Sequence, residues 1–324
     1  MSFSTANTQA VGAPLTRCAT FLVLTVNDND GAVPDAFGTV RSALGSVGDL
    51  AKNVAIRDSN AGFSVTAGIG SRVWDGVTGL PRPAELHPFV EVRGHTHVAP
   101  STPGDLLFHI RAERRDLCFE FERQILHALG DAVVVADVTV GFRYFDARDL
   151  LGFVDGTANP VGQAVNESVL VTASDDRAAG SSAVDGSYVV VQKYVHELGR
   201  WTSLPTEKQE SIIGRTKFDN LELDDCAVEA QKPHKQLATI TDGRGKEHGI
   251  LRDNMPFGSP AEGEYGSYFI GYSRYLWVTE KMIQRMFVGD PPGKHDRILD
   301  FSKALTGSVF FAPSTEVLDG LGAD

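Results

Sequence analysis

At 324 residues the chain can form one large domain or two of ordinary size. Its net charge of −12 argues against a general nucleic-acid or anionic-membrane binder, since neither is attracted to an acidic surface. Three widely spaced cysteines, Cys18, Cys118 and Cys226, suit neither a disulfide framework nor a zinc site. The first residues do not read as a secretory leader and no apolar run reaches membrane-spanning length, so a cytoplasmic location is expected.

In chain order, Thr20 to Val26 is a β-rich apolar run. Val33, Phe37, Val40, Leu44 and Val47 then form one helical stripe, and Ser64 to Ala67 reads as a strand. Val90 to Val98 reads as a strand that would put His95 and His97 on one face with His87 nearby. That spacing suits a metal pair, but no acidic or cysteine partner stands at metal-site spacing. Gly68-Ile69-Gly70 lacks the third glycine of a dinucleotide fingerprint. Asp105 to Ile110 leads into a helix whose Leu117, Phe121, Ile125 and Leu129 recur every four residues, with Cys118 beside them as a core residue. His109 and His127 read as packing or surface residues, and Val133 to Tyr144 as a strand.

Residues 158–186, rich in Ala, Ser, Asp and Gly, read as a long loop with little regular structure. The same rhythm then returns. Tyr188 to Tyr194 repeats the first strand 168 residues on, and Ser267 to Tyr272 repeats the run at Asp105 after 162. Between them a helix starts near Ser203 to Thr206 and ends near Gly214, with Pro205 in its first turn. Val278, Met282 and Met286 mark the later helix and Ser308 to Ala312 the last strand. Thr315 to Asp324 reads as a loose acidic tail. Each half is thus β-α-β-β-α-β, which makes the fold class α+β: two ferredoxin-like halves with antiparallel sheets and a pocket between sheet and helices. The expected division is 1–157, a connecting loop 158–186, 187–313, and a tail 314–324.

Three places carry candidate chemistry. In Gly152-Phe153-Val154-Asp155-Gly156-Thr157-Ala158-Asn159-Pro160, one carboxylate sits among apolar residues and turn formers. Such an Asp can be a positioned acid/base, a metal ligand or a turn cap. His234 lies where an irregular segment meets an apolar one; it can be a satisfied surface histidine or a ligand to haem iron. Arg252, inside an interrupted apolar run, needs an anion or a polar ligand, or else a salt bridge to Asp253 or another carboxylate.

Four motifs in order, GFVDGTANP (152–160), IIGRTKFDNLELDD (212–225), ILRDNMPFG (250–258) and FVGDPPGKHDRILDFS (287–302), resemble the dye-decolorizing peroxidases. The resemblance runs from about Cys18 to Pro313 and is greatest to the compact bacterial branch often called class B. It implies a haem peroxidase of two ferredoxin-like halves, with one haem b per chain in the C-terminal half. His234 would be the proximal iron ligand, Asp155 the distal carboxylate, and Arg252 and Asn254 its distal neighbours. Asp296 or Asp300 would support His234, and Arg297 would pair with a haem propionate. Hydrogen peroxide and small aromatic or dye-like electron donors are the implied substrates, with Trp201, Trp277 and Tyr194 as possible relays to the surface. The other reading is a haem-binding, storage or iron-release protein with little turnover. The resemblance favours a homo-oligomer. The ending Leu318 to Asp324 is a poor docking sequence for an encapsulating shell protein.

Overall fold

The computed structural model describes residues 7–28, 33–175 and 180–322. Two four-stranded units have the same strand order. In the first, Ser64–Ile69, Leu106–Ala112, Cys18–Val26 and Val133–Phe142 lie side by side; in the second the order is Leu251–Arg252, Glu264–Ser273, Ser187–His196 and Ser308–Ala312. Numbered within each unit this is 2-3-1-4, all antiparallel, the ferredoxin-like arrangement expected from the two β-α-β-β-α-β halves. Two short strands extend the second unit: Met255–Ser259 on Glu264–Ser273, and Ser302–Ala304 on Ser187–His196.

The halves are not separate sheets. Phe311 of the last strand pairs with Ile69, which joins the eight strands and the two short ones into one ten-stranded sheet. The sheet folds back so that one face of each unit meets the other, and the period of two in the strands decides which core each side chain enters. Phe21, Val23, Leu107, Val189, Val191 and Phe310 fill the space between the two faces. Their neighbours Leu22, Leu24, Leu106, Phe108, Val190 and Phe311 point the other way, under the helices. Burying each such side chain contributes roughly 1.5–3 kcal/mol before entropy is counted.

Helix Arg115–Leu129 buries the expected stripe of Leu117, Phe121, Ile125 and Leu129, along with Cys118. The stripe from Val33 to Val47 divides between two helices, Ala36–Gly45 and Val47–Ala55; the Asp35 carboxylate caps the first by accepting from the Gly38 amide at 3.0 Å. Helix Thr206–Ile213 follows Pro205 as expected. In helix Leu276–Val288 the buried residues are Leu276, Val278, Thr279, Ile283 and Phe287, while Met282 and Met286 line a cavity instead.

Three expectations are corrected. Val90 to Val98 is a tight hairpin of Val92–Arg93 against Val98–Ala99, because Gly94 turns the chain and donates from its amide to the His97 carbonyl at 2.9 Å. The loop 158–186 contains helix Gln163–Val169, which buries Val169. The tail is helix Thr315–Leu321, capped by the Ser314 hydroxyl and held by buried Leu318 and Leu321; its acidic residues mask a two-residue apolar face. Among the described residues no helix is long and apolar enough to cross a membrane.

Candidate active site

A cavity of about 590 Å³ opens between the second unit's sheet and its helices. Its apolar lining includes Phe153, Ile213, Phe269, Met282, Met286 and Leu299, and its polar lining includes Asp155, His234, Arg252 and Asn254 from the three candidate segments.

His234 opens the short helix His234–Ala238. Pro233 before it is extended, and its carbonyl accepts from the amides of Gln236 and Leu237, so the proline starts the helix and does not disturb it. The imidazole Nδ1 lies 2.6 Å from Oδ2 of Asp296, a carboxylate with no exposed surface. Asp296 is itself held by the Ile298 amide, which donates to Oδ1 at 3.1 Å. Burial pushes the His234 imidazole down, but the Asp296 charge and hydrogen bond outweigh it and hold it above the ordinary histidine range. With Nδ1 engaged, Nε2 is the nitrogen left for a ligand.

Asp155 and Asn254 line the same cavity. The Gly156 amide donates to Asp155 Oδ1 at 2.6 Å, a tight bend that Gly156 allows by adopting φ +74°. Asn254 donates from Nδ2 to Asp155 Oδ2 at 3.1 Å and accepts on Oδ1 from the Ile270 amide at 3.1 Å, which ties the carboxylate to the sheet. Asn159 does the same for the neighbouring strand. Its Nδ2 donates to the Arg252 carbonyl at 2.7 Å and its Oδ1 accepts from the Arg252 amide at 3.0 Å. The two motifs that supply Asp155 and Arg252 are therefore clamped together.

The salt bridge considered for Arg252 goes elsewhere: Asp253 is buried and pairs with Arg111 at 3.0 Å. Among the described residues no hydrogen bond or ion pair engages the Arg252 guanidinium, a half-buried cation at the cavity wall. Behind it, Arg111 also donates to Thr66 Oγ1 at 3.2 Å, and buried His109 meets the Tyr272 hydroxyl at 2.9 Å through Nδ1. Burial drives that imidazole well below its usual range, so it is neutral.

Sequence reasoning missed Asp149, Asn159 and His196. Asp149 also lines the cavity; burial first, then the Asp155 charge, push its carboxyl up to about 7, against the backbone amides that donate to it. His196 lies between Ser302 Oγ at 2.8 Å and Ser267 Oγ at 2.9 Å, and burial lowers it to about 4. Asn159, inside the GFVDGTANP motif, was the one with a visible signal.

Of the two carboxylates considered for His234, Asp296 serves and Asp300 does not. Asp300 Oδ1 instead accepts from His97 Nε2 at 3.1 Å and His295 Nε2 at 2.9 Å, while Arg297 Nε donates to Oδ2 at 3.2 Å. Arg297 is accordingly turned to Asp300 and is not among the residues lining the cavity. The metal pair considered at His95 and His97 does not form. His95 is exposed, and His87 reaches the Pro88 carbonyl and Glu280. Trp201 is fully buried against Phe153 and Phe301, with its indole N–H donated to the Leu151 carbonyl at 2.8 Å, and Tyr194 is buried too. Neither offers a surface for an electron donor, whereas Trp277 is partly exposed beside His248.

The donor set fits haem. A flat apolar macrocycle needs apolar walls and one axial nitrogen, and a cavity of this volume falls in the range for small cofactors. Here Phe153, Ile250, Phe269, Met282, Met286 and Leu299 give the cavity an apolar wall, Nε2 of a carboxylate-braced histidine faces no partner among the described residues, and a guanidinium without a hydrogen-bond partner among them remains for an anionic oxygen.

Comparison with known proteins agrees. The family models of the Dyp-type peroxidase N-terminal and C-terminal domains match residues 8–143 and 146–317. The chain is 51% identical over 319 residues to the dye-decolorizing peroxidase of Mycobacterium tuberculosis, covering 98% of this chain and 92% of that one. It superposes with TM-score 0.90 on a variant of Rhodococcus jostii RHA1 DypB in complex with heme, at 50% identity, covering 97% of this chain and 98% of that one. It superposes equally, with TM-score 0.90 at 48% identity and 97% coverage of both chains, on the encapsulated DyP-type peroxidase of Mycobacterium smegmatis. With two family domains spanning nearly the whole chain and half its residues shared with these relatives, the chain belongs to the Dyp-type peroxidase family and stands near its class B branch.

Proposed function

We propose that this chain is a haem-dependent peroxidase that reduces hydrogen peroxide and oxidises dyes, phenolics or other one-electron donors, with one haem b per chain. The observation that carries the reading is a single cavity that holds both a buried-carboxylate-braced imidazole, His234 with Asp296, and a pinned carboxylate beside an unpaired guanidinium, Asp155 with Arg252. Bound there, haem supplies the one- and two-electron redox chemistry that side chains lack.

The residues divide the remaining work. His234 Nε2 is the iron ligand; Asp296 accepts from Nδ1–H, which fixes the tautomer and the ring orientation and strengthens the imidazole as a donor. Asp155 is placed to accept a proton from one peroxide oxygen and to return it to the oxygen that departs. Arg252 stabilises negative charge on that departing oxygen, where the apolar lining excludes water and strengthens the interaction. Asn254 holds Asp155 at the required angle and offers its amide to peroxide. Arg297, committed to Asp300, is a haem-propionate partner only if it leaves that carboxylate.

Steady-state peroxide kinetics on Asp155→Ala and Arg252→Leu test the assignment. Loss of a general acid/base or of an oxyanion donor lowers kcat/KM for peroxide by about 10²-fold or more. Wild-type values in both variants would refute it. A storage or iron-release protein with little turnover has no use for the pinned carboxylate and free guanidinium, and it predicts no more donor oxidation than equimolar free haem. An encapsulating shell is a partner supported by the M. smegmatis relative alone; co-expression with a shell protein tests it.

A further inference from the structure

His97, His295 and Asp300 remain unused by the peroxidase reading. They come from distant parts of the chain: His97 from the hairpin Val92–Arg93/Val98–Ala99 of the first half, and, in the second, His295 from just before the cap of the turn Arg297–Asp300 and Asp300 from its end. Both imidazole Nε2 atoms converge on the same oxygen, Asp300 Oδ1, at 3.1 Å and 2.9 Å. The rings meet edge to face with centroids 4.7 Å apart, and the three candidate ligand atoms all lie within 4.8 Å of one another. We propose that His97, His295 and Asp300 form a binding site for a divalent transition-metal ion of the Zn²⁺ class.

The chemistry of the set chooses the ion. Two imidazoles and one carboxylate suit Zn²⁺ and its first-row neighbours, whereas Ca²⁺ and Mg²⁺ take oxygen donors. Metal–ligand bonds of about 2.0–2.2 Å place tetrahedral ligand atoms roughly 3.3 Å apart. The two N···O separations therefore need to open by only a few tenths of an ångström, and the imidazoles to approach each other, for an ion to replace the shared hydrogen bonds. The residues are neither sealed nor bare: the side chains of His97, His295 and Asp300 are 22%, 20% and 28% exposed. That leaves an entry path and room for water as the remaining ligand.

The surroundings hold the set in place. Arg297 Nε occupies Asp300 Oδ2 at 3.2 Å, so Oδ1 is the oxygen turned to the histidines. On the other side the hairpin is seated on the end of helix Leu276–Val288, where a Cβ at Gly94 would collide with the Phe287 carbonyl. An ion at this site ties the first half of the chain to the turn that Asp296 caps. It is a clamp between halves, adjacent to but distinct from the cavity that His234 lines.

Zinc titration of the purified protein, followed by metal analysis after dialysis, tests the site. The wild type and His234→Ala should each retain one Zn²⁺ per chain, and their unfolding midpoints should rise with added Zn²⁺. His97→Ala, at a partly exposed hairpin position, should bind zinc at least tenfold more weakly and lose that rise, and His295→Gln should do the same independently. His87→Ala, which removes a nearby histidine outside the set, should leave binding unchanged. Zinc retained in both His97→Ala and His295→Gln, no zinc bound by the wild type, or zinc lost only in His234→Ala would overturn the proposal. Because neither readout requires haem or turnover, failure here is separate from failure of the peroxidase reading.

Discussion

Replacing Asp149 by Asn tests whether a second carboxyl group in the cavity wall is carried in its neutral form. Burial and the Asp155 charge raise Asp149 to about 7 in the folded protein, against about 3.9 for an unperturbed Asp. The folded chain therefore holds a proton that the unfolded chain releases. That contribution to stability is fully present below about pH 4 and is lost as pH rises through about 7. At about 1.4 kcal/mol per unit over roughly three units the ceiling is about 4 kcal/mol. Lys217, whose charged form is favoured by a negative Asp149, lowers this somewhat. Asn mimics the neutral acid and can still accept from the Phe153 amide, which donates to Asp149 Oδ1 at 2.9 Å. Thermal unfolding of wild type and variant at matched pH values isolates the effect, since all other titrating groups are shared. The midpoints should coincide near pH 4 and the variant should be several degrees more stable at pH 8, at about 2 °C per kcal/mol for a chain of this size. Parallel curves for the two proteins from pH 4 to 8 would mean that Asp149 carries no raised pKa in the folded chain.

Three further outcomes follow from the geometry. Asp296→Asn removes the charge that braces His234, so haem transfer to apomyoglobin should show affinity lowered by about 10–100-fold. Asn159→Ala breaks both hydrogen bonds to the Arg252 backbone; chemical denaturation should show a loss of about 1–3 kcal/mol, and kcat/KM for peroxide should fall while KM for the donor holds. Arg111→Leu strands the buried Asp253 carboxylate, which burial already pushes up, and should cost about 3–5 kcal/mol in the same assay.

Much of the fold was legible because its strands are apolar runs and its helices carry stripes at steps of four: Leu117 through Leu129 is buried as the spacing requires. The joining of both halves into one sheet was not, because it rests on the single pairing Phe311 with Ile69, which leaves no periodicity to read. Helices Gln163–Val169 and Thr315–Leu321 were missed because small and acidic residues outnumber the few that are buried. Asp155, Arg252 and Asn254 were named from motifs and His234 from its setting and the family resemblance, and the structure brings all four to one cavity. The choice between Asp296 and Asp300 was beyond the sequence, since residues at that spacing on an α-helix would share a face. The tighter 3₁₀ turn Arg297–Asp300 sends them to different sides, one to His234 and the other to His97 and His295. Asp149 and His196 are set by burial and tertiary contacts that no local pattern announces, whereas Asn159 stood inside a motif whose partner strand the sequence did not show.

Every catalytic role assigned above depends on haem binding in this cavity through His234. Titration of the purified chain with haem, followed in the Soret region, tests it most directly. The wild type should show a saturable Soret band at one haem per chain, lost or greatly displaced in His234→Ala. A wild type that takes up no haem, or an identical band and stoichiometry in His234→Ala, would contradict it.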